Sequence, residues 1–415
     1  MARFHFRCFE CGSELDERPR LYVCPECTEH QVPGGVTRGV LEVVIEDLPG
    51  AWPAAGAGTA PFLAAFLPVL DRPRLPHLPI GGTPLVAAPR LRRELGMDRL
   101  WLKDDTRNPS GSTKDRASQL VVAKALEYDV DTVATASTGN AATSLAAVTA
   151  AAGLRAVVLV PASAPPAKLV QMQAYGATVL PVDGSYDDAF ELSLAACSRF
   201  GWYNRNTAYN PFTIEGKKTA ALEIAADLLP DAPDAVVVSA GDGVITGGLA
   251  KGFADLQRAG LIDRRPRLVV VQPAGSAAIA TALRTGADEI TPVPGAASVA
   301  DSLTVEAPRN GLGCLRGVRA SGGAGVIVSD DAIVAAITRL AGLTGVFAEP
   351  AAAAALAGLD AALAEDLIDR DERVVLMVTG TGLKDVDAAR RALHPPLSIA
   401  PTLDAIEAVV HGNHS

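Results

Sequence analysis

In the stretch Asn108-Pro109-Ser110-Gly111-Ser112-Thr113-Lys114-Asp115-Arg116, one lysine lies between a Gly/Ser turn and an apolar, helix-forming run from Ala117 to Leu126. Shielding from water and the N-terminus of a helix both disfavour the charged form of a lysine. The neutral amine that results is a nucleophile. The stretch therefore predicts that Lys114 forms a Schiff base with a carbonyl group.

The rest of the chain predicts the scaffold around this lysine. From Asp131 onward, short β-branched runs alternate with alanine-rich amphipathic runs, which indicates an α/β fold with mainly parallel sheets. The runs form two series, so we expect two α/β lobes with a cleft between them, where cofactors bind beyond the carboxyl ends of strands. The expected strands and helices are 132–134, 140–152, 156–160, 168–175, 178–182 and 187–199, then 235–239, 246–257, 267–271, 330–340, 351–363 and 374–378.

A glycine-rich turn follows the apolar strand that ends at Ser239. The segment Gly241-Asp242-Gly243-Val244-Ile245 leads into a helix, and backbone N–H groups at such a point bind phosphate. The dinucleotide pattern G-x-G-x-x-G fails at Thr246, and Gly216-Lys217-Lys218-Thr219 lacks the upstream glycine of a P-loop. The turn indicates a phosphate site without indicating a nucleotide.

Three further turns complete the pattern. Ser137-Thr138-Gly139-Asn140 lies about twenty residues after the lysine, Gly345 to Ala351 begins an alanine-rich helix, and Thr379 to Asp385 follows a predicted strand. Each turn alone is typical of an ordinary strand-to-helix loop. Their joint order resembles that of the fold-type II pyridoxal phosphate (PLP) enzymes, and within them the threonine synthase family. The motifs that carry the likeness, which extends from about residue 80 to 390, are Gly82-Thr83-Pro84-Leu85, Leu102-Lys103-Asp104-Asp105, Ser112 to Arg116, Ser137 to Asn140, Asn210-Pro211, Glu215 to Thr219, Gly345 to Ala351 and Thr379 to Asp385.

The resemblance implies a role for each matched position. Lys114 matches the Schiff-base lysine, and Asn140 matches the group that binds the hydroxyl of the PLP ring. The phosphate loop is Gly241, Asp242, Gly243, Val244 and Ile245. Thr379 matches the residue at the ring nitrogen, where a hydroxyl favours elimination and replacement over transamination. The loop that receives the substrate carboxylate contains Ser137, Thr138 and Asn140.

The reaction that the resemblance implies is the conversion of O-phosphohomoserine and water to threonine and phosphate, with Lys114 as nucleophile and general acid/base. Three residues depart from the family pattern. Thr113 stands where phenylalanine is common, and Asp242 carries a charge that we expect to point away from the cofactor phosphate. Thr213 stands where many relatives have a phosphate-binding arginine, so we consider four substitute donors: Asn204, Arg205, Asn206 and Lys217.

Alternatives remain open at this point. Without the arginine, the chain also fits a threonine or serine ammonia-lyase, or a phosphoserine-using β-replacement enzyme such as cysteate synthase. A non-catalytic PLP-binding scaffold is a rival from another class. Lys217 is interpreted either as a substrate-phosphate donor or as a solvated surface residue, and Arg309 either as a contact for substrate anions or as a surface-loop arginine.

The first 45 residues resemble a zinc ribbon. Cys8-x-x-Cys11 and Cys24-Pro25-x-Cys27 have the spacing of two metal-binding knuckles, and the β-rich segment from Val40 to Ile45 closes the unit. We expect these four cysteines to hold a structural zinc ion. Four thiolates leave no open coordination position, so metal catalysis is not expected here.

Composition limits the partners. The chain has 415 residues, a net charge of −10 and 49% hydrophobic residues, which indicates a globular protein and disfavours nucleic-acid or anionic-membrane surfaces. With no secretory h-region and no membrane-length apolar run, we expect a cytoplasmic enzyme acting on a small amino-acid substrate. The family resemblance implies a homodimer. The predicted organisation is a ribbon at 1–45, an Ala/Gly/Pro-rich connector at 46–79, a catalytic body at 80–395 with a smaller lobe at about 118–230, and a tail at 396–415.

Overall fold

The computed structural model describes residues 3–32, 35–53, 59–69, 76–164 and 166–412. Three sheets organise this part of the chain. The strands are β1 (Phe4–Cys8), β2 (Glu14–Leu15), β3 (Leu41–Ile45), β4 (Leu85–Ala87), β5 (Leu100–Asp104), β6 (Thr132–Ala136), β7 (Arg155–Pro161), β8 (Thr178–Val182), β9 (Tyr203–Asn204), β10 (Ala235–Ser239), β11 (Arg267–Pro273), β12 (Ala324–Val328) and β13 (Val374–Val378).

Helices cover the sheets and connect their strands. They are α1 (Pro25–Thr28), α2 (Thr59–Ala65), α3 (Pro89–Leu95), α4 (Lys114–Glu127), α5 (Asn140–Ala152), α6 (Pro166–Ala174), α7 (Tyr186–Phe200), α8 (Phe212–Lys217), α9 (Thr219–Asp227), α10 (Val244–Arg258), α11 (Ala278–Thr285), α12 (Gly311–Ala320), α13 (Asp330–Thr344), α14 (Pro350–Ala364), α15 (Val386–Arg390) and α16 (Leu403–Gly412). Among the described residues, no helix combines the length and the apolar character needed to cross a membrane.

The two larger sheets form the two lobes of an α/β fold. In the larger lobe the strand order is β12-β11-β10-β13-β5-β4, parallel except for the antiparallel pair of β4 with β5. In the smaller lobe the order is β8-β7-β6-β9, and all pairs are parallel. Helices on both faces bury the sheets, which explains the continuous apolar runs in β10 and β13. The predicted fold class is confirmed.

The N-terminal module is a small antiparallel sheet of order β2-β1-β3 that packs on the catalytic body. Phe4 and Phe6 lie against Phe212 of α8, with ring centroids 6.0 and 5.7 Å apart. Lys124 of α4 bonds Glu17 at 2.7 Å. The module therefore shares its core with the helix that begins at the predicted Schiff-base lysine.

Part of the predicted connector at 46–79 also packs into the core. Phe62, Phe66, Leu67 and Val69 are buried, and Phe66 is fully enclosed beside α9. This burial depends on partners far along the chain, which the composition of the segment does not reveal. Residues 54–58 and 70–75 of the connector, and 413–415 of the tail, lie outside the described residues.

Candidate active site

Lys114 is the first residue of α4, and the turn before it is fixed by a neighbouring loop. Gly111 has φ +82°, and a Cβ there would lie 2.8 Å from Cγ2 of Thr381, so this turn requires glycine. The Thr113 amide donates to the Thr379 carbonyl at 2.8 Å, and the Thr381 amide donates to the Gly111 carbonyl at 3.0 Å. The loop after β13 therefore holds the backbone around the lysine.

The surroundings of Lys114 favour its neutral form. Burial lowers the pKa of its amine below the ordinary lysine value, and the Arg205 guanidinium acts in the same direction. The carboxylates of Glu349 and Asp242 oppose this shift without cancelling it. A nucleophilic amine at the bottom of a cleft is what the sequence predicts for this position.

Asn140 begins α5 directly after β6, at the carboxyl end of the smaller sheet. Its amide donates to both carboxylate oxygens of Glu349, at 3.0 Å each. Glu349 is itself held by its backbone amide, which donates to the Gly380 carbonyl at 3.1 Å, and burial raises the pKa of its carboxyl. The sequence motifs do not assign a role to Glu349. The one sequence feature that could have indicated it is its place directly before Pro350, at the start of an alanine-rich helix.

The glycine-rich loop joins β10 to α10 and exposes the first N–H groups of that helix. Gly243 has φ +77°, and a Cβ there would lie 2.7 Å from Cβ of Cys314, so this position of the loop requires glycine. The Asp242 carboxylate accepts from the Arg309 amide at 3.1 Å. This contact ties the carboxylate to the segment that carries Arg309.

Thr379, Ser137 and Thr138 complete the set of predicted cofactor and substrate positions. Thr379 is buried at the end of β13, and Ser137 and Thr138 are half-buried between β6 and α5. The Ser137 hydroxyl accepts from the Gly139 amide at 3.2 Å, which shapes the turn. All these residues follow the carboxyl ends of parallel strands, where the two lobes face each other.

Two buried basic side chains lie in the same cleft. Burial lowers the pKa of Arg205 to about 10, so its guanidinium stays charged at neutral pH. Burial and the like charges of Lys114 and Arg205 lower the pKa of Lys217 well below its ordinary value. In the described part of the chain, neither side chain forms a salt bridge with a carboxylate. Lys217 is 1% exposed, so the interpretation of Lys217 as a solvated surface residue is wrong.

The other substitute donors have structural partners. Asn204 and Asn206 are buried, and their side chains bond Cys197 and Ser193. The Thr213 hydroxyl donates to the Asn210 carbonyl at 2.7 Å and accepts from the Ala208 amide at 3.1 Å, so the local turn occupies it. Arg309 stacks its guanidinium on Phe190, 3.7 Å from the ring centroid, at the mouth of the cleft.

Several buried polar atoms of the cleft fit a phosphorylated cofactor. Buried polar groups are nearly always hydrogen-bonded in proteins. Among the described residues, the buried atoms without a hydrogen-bond partner include Oγ1 of Thr113, Nη2 of Arg205 and Oγ of Ser239. Thr113 precedes Lys114, and Ser239 ends the strand before the glycine-rich loop. A bound group with a phosphate and a polar ring would supply partners for these hydroxyl and guanidinium groups.

The four N-terminal cysteines meet in one cluster. Their Sγ atoms all lie within 4.8 Å of one another, and the pairs Cys8–Cys27 and Cys11–Cys24 are 3.8 Å apart. A tetrahedral zinc ion with Zn–S bonds of about 2.3 Å requires sulfur atoms roughly 3.8 Å apart. The cluster therefore fits zinc. All six cysteines of the chain are free of disulfides.

Comparisons with known proteins agree with this geometry. The family model described as pyridoxal-phosphate dependent enzyme matches residues 77–380. Threonine synthase of Methanocaldococcus jannaschii is 36% identical over 412 residues, covering 97% of this chain and 98% of that protein. Threonine synthase of Methanosarcina acetivorans is 34% identical over 423 residues, covering 99% of both chains.

Solved structures support the fold alone. A fungal L-serine ammonia-lyase from Rhizomucor miehei superimposes with a TM-score of 0.65 at 21% identity, covering 75% of this chain and 97% of its own. The lysine, asparagine, glycine loop and hydroxyl of the cleft, together with the nearly full-length relatives, lead to one conclusion: this chain belongs to the PLP-dependent enzymes, within the threonine synthase family.

Proposed function

We propose that this protein converts O-phosphohomoserine and water to threonine and phosphate. The observation that carries the proposal is the pair of buried basic side chains, Arg205 and Lys217, beside Lys114. A charged guanidinium buried without an ion partner is costly, and a second basic group beside it adds to the repulsion, so the pair is best explained by an anion that binds during catalysis. A phosphate monoester on the substrate is such an anion.

The cleft then has two phosphate positions with different chemistry. The loop from Gly241 to Ile245 offers backbone N–H groups and a helix N-terminus, which suit the permanently bound phosphate of PLP. Arg205 and Lys217 offer charged side chains, which suit a phosphate that binds and leaves. Arg205 therefore takes the role that an arginine at position 213 has in many relatives, since Thr213 cannot perform it.

When bound to Lys114, PLP supplies an electron-withdrawing ring that acidifies the hydrogens on Cα and Cβ of an amino acid. The protein controls where protons and charges go. Lys114 removes the proton from Cα and then one from Cβ, which lets phosphate leave from Cγ. One proton is then returned to Cγ, which becomes the methyl group of threonine, water adds at Cβ, and Lys114 returns the other proton to Cα. Arg205 and Lys217 hold the phosphate and stabilise the charge that grows on it as the bond to Cγ breaks.

The remaining cleft residues orient the reactants. Ser137, Thr138 and Asn140 are proposed to bind the substrate carboxylate at the N-terminus of α5. Asn140 also contacts the cofactor hydroxyl, and Glu349 holds its amide in place. The hydroxyl of Thr379 is proposed to hydrogen-bond the ring nitrogen of PLP. Unlike a carboxylate, a hydroxyl does not keep this nitrogen protonated, and this favours elimination over transamination.

The competing activities make different use of the cations. An ammonia-lyase acting on free threonine or serine leaves Arg205 and Lys217 without an anion, and the structure disfavours it for that reason. A phosphoserine-using β-replacement enzyme keeps the phosphate but brings it one carbon closer to Cα. The two substrates place their phosphate at different distances from Lys114. Comparing O-phosphohomoserine with the shorter O-phosphoserine therefore separates these activities.

The decisive experiment supplies purified holoenzyme with O-phosphohomoserine, O-phosphoserine, threonine or serine in parallel. We expect threonine and phosphate in equal amounts from O-phosphohomoserine only, and no turnover in Lys114→Ala. Ammonia and a 2-oxo acid from threonine or serine would instead establish an ammonia-lyase. A PLP-loaded protein that consumes none of the four compounds would contradict the proposed reaction and favour a scaffold role.

Three wider properties belong to the same proposal. Free thiols at metal-binding spacing support a reducing compartment, so we propose the cytoplasm. We propose that Cys8, Cys11, Cys24 and Cys27 bind a structural zinc ion.

We also propose a homodimer, supported by exposed apolar side chains at the C-terminal end, including Leu397, Leu403 and Val410. Light scattering of the full chain and of a chain ending at Leu393 tests the last point.

A further inference from the structure

The first cysteine knuckle lies against the segment that closes the phosphate loop. The Arg316 guanidinium donates to the carbonyl of Phe9, which stands between Cys8 and Cys11. The Phe9 ring covers Gly313 so closely that a Cβ there would lie 3.2 Å from Cε2 of the ring. The knuckle and the start of α12 are therefore packed as one unit.

The segment from Arg309 to Gly313 is also bonded to the phosphate loop. The Asn310 amide donates to the Asp242 carbonyl at 2.9 Å, and its side-chain amide donates to the Gly243 carbonyl at 3.2 Å. The Arg309 amide donates to the Asp242 carboxylate at 3.1 Å. Cys314 forms the wall behind Gly243. This segment fixes the conformation in which the loop presents its N–H groups.

Phe9 also belongs to an apolar cluster that extends to the loop. Its ring packs on the small cluster formed by Val40, Ala208, Ile214 and Val244, and Val244 is the first residue of α10. Ile214 belongs to α8, which also carries Lys217. One side chain of the ribbon therefore packs on a cluster that includes residues from the helices of both phosphate positions.

The cysteine cluster determines where Phe9 lies. The Glu10 amide donates to the Cys8 sulfur at 3.3 Å, and the Phe9 amide donates to the Val40 carbonyl at 3.0 Å. The adjacent Gly39 carbonyl accepts from the Cys24 amide at 2.8 Å, so both knuckles converge on the segment that carries Val40. Fixing the four sulfur atoms around one ion fixes this segment and Phe9 together.

We propose that the four-cysteine metal site, acting through Phe9, positions the phosphate loop, so that metal loading sets the affinity of the enzyme for PLP. Phe9 and the knuckles are positioning residues in this scheme, since none of them touches the cofactor. The inference rests on the zinc and PLP sites proposed above, and it goes beyond the proposed reaction. Outer-shell partners of metal ligands typically change metal affinity or activity by about 10- to 100-fold, and we take the lower end of this range as the expected effect on PLP binding.

The test compares metal content with PLP affinity in the full-length protein. PLP is removed and the apoenzyme is titrated with PLP while cofactor absorbance is followed, before and after zinc is extracted with a thiol reagent and a chelator. We expect the dissociation constant for PLP to rise at least about tenfold on zinc removal and to recover when zinc is restored. A constant unchanged within twofold in the zinc-free, folded protein would overturn the proposal, as would wild-type protein that binds no zinc.

Variants separate positioning from folding. Phe9→Ala keeps all four cysteines and is expected to weaken PLP binding about tenfold with full zinc content, whereas Phe9→Tyr keeps the ring and restores binding. Leu15→Ala is the matched control, because Leu15 is another half-buried ribbon side chain but lies on β2, away from the loop. Equal PLP affinity in Phe9→Ala and Leu15→Ala would contradict the role of Phe9. Since no substrate is used, failure here leaves the proposed reaction intact, while threonine synthesis is tested separately.

Discussion

Arg205 holds a positive charge where burial opposes it, and the buried amine of Lys217 has a strongly lowered pKa, so a bound anion would stabilise the charged form of both side chains. Among the described residues, the Lys217 amine donates to the Thr213 carbonyl alone, at 3.3 Å. Arg205 bonds the hydroxyls of Ser118 and Thr207 and leaves Nη2 without a partner among the described residues. Both side chains are therefore available to a phosphate without first losing an ion pair.

Removing either charge is expected to weaken substrate binding selectively. Charge-assisted hydrogen bonds contribute about 1.5–3 kcal/mol, so Arg205→Gln and Lys217→Met should lower kcat/KM for O-phosphohomoserine about 10- to 100-fold, mainly through KM. Arg155→Gln is the control, since Arg155 is exposed and pairs with Asp131 on the surface. Steady-state kinetics at fixed PLP saturation measures the effect. An unchanged KM in both cleft variants would show that the phosphate binds elsewhere.

Because the pKa of Lys217 is lowered, we expect the affinity for a phosphate-bearing substrate to depend on pH. A bound dianion favours the protonated amine, so binding takes up a proton whenever free Lys217 is neutral. Above about pH 7 a phosphate monoester is already a dianion, and affinity should then fall as pH rises. Titration calorimetry with inorganic phosphate measures this slope, which we expect to flatten in Lys217→Met. An identical slope in the variant would assign the proton to another group.

Sequence motifs indicate candidate residues that lie within a single turn, and they miss residues that reach the cleft from distant parts of the chain. Lys114, Asn140 and Thr379 each lie in a recognisable turn. Glu349 was missed because its contact with Asn140 joins positions 209 residues apart. The burial of Lys217 was equally hidden, since α8 and α10 enclose it only in the folded chain.

Arg116 anchors helix α4 in the interior of the protein. The guanidinium bonds Asp105 at 2.7 and 2.8 Å and Glu223 at 2.6 and 2.8 Å, all in the interior. Lys103 adds a second contact to Glu223 at 3.0 Å. This network ties the lysine helix to α9 and to the turn after β5, so it keeps Lys114 in register with the opposite lobe.

Breaking this network should destabilise the fold strongly. Arg116→Met leaves the carboxylates of Asp105 and Glu223 in the interior without their main partner, and such losses cost about 3–5 kcal/mol. Arg107→Met is the control, because Arg107 is exposed and its pair with Asp104 contributes about 0–1 kcal/mol. Urea unfolding followed by circular dichroism gives both values. A loss below about 1 kcal/mol in Arg116→Met would contradict the anchoring role.

The same network predicts acid sensitivity. Burial alone would raise the pKa of Glu223, but Arg116 outweighs it and lowers the pKa from 4.5 to about 2. A carboxyl with a lowered pKa stabilises the fold above its unfolded value and loses that contribution as the pH falls. We therefore expect the free energy of unfolding to decline between pH 4.5 and 2. Unfolding curves across this range should show a smaller decline in Glu223→Gln, and an equal decline would exclude Glu223 as the source.

At this scale the sequence pattern predicted elements better than their ends. Helix α5 and strand β13 have the predicted bounds, because Gly139 and Gly153 limit the first and polar loops limit the second. Helix α10 begins at Val244, two residues before the predicted start, since the left-handed Gly243 caps it. Helix α2 was missed as part of the core because its partners lie in α9, about 160 residues away in sequence.

At the scale of the whole molecule, Arg309 joins the two lobes across the mouth of the cleft. Its guanidinium leaves the larger lobe, stacks on Phe190 of α7 and lies 3.5 Å from the carboxylate of Asp187. From the sequence, Arg309 is interpreted either as a contact for substrate anions or as a surface-loop arginine. In the structure it lies at the junction of the lobes. Its removal should loosen the smaller lobe without unfolding either sheet.

Arg309→Met keeps the length of the side chain and removes its charge, so it isolates this junction. A cation–π contact contributes about 0.5–2 kcal/mol, which corresponds to amide exchange in α7 that is about 2- to 30-fold faster. Hydrogen-exchange mass spectrometry measures this, with Arg319→Met as the control because Arg319 pairs with the exposed Asp288 within the larger lobe. Equal exchange in α7 of the two variants would show that Arg309 does not join the lobes.

The contact between Phe9 and Arg316 joins positions 307 residues apart, and this separation affects the order in which the protein is made. During synthesis the N-terminal ribbon emerges first, yet its seat at the start of α12 emerges after three quarters of the chain. A nascent chain that ends before Gly311 already carries the glycines of the phosphate loop but lacks the wall behind them. The ribbon is translated long before α12, yet it completes its docking only after α12 has emerged, so the phosphate loop of a growing chain gains its wall late in synthesis.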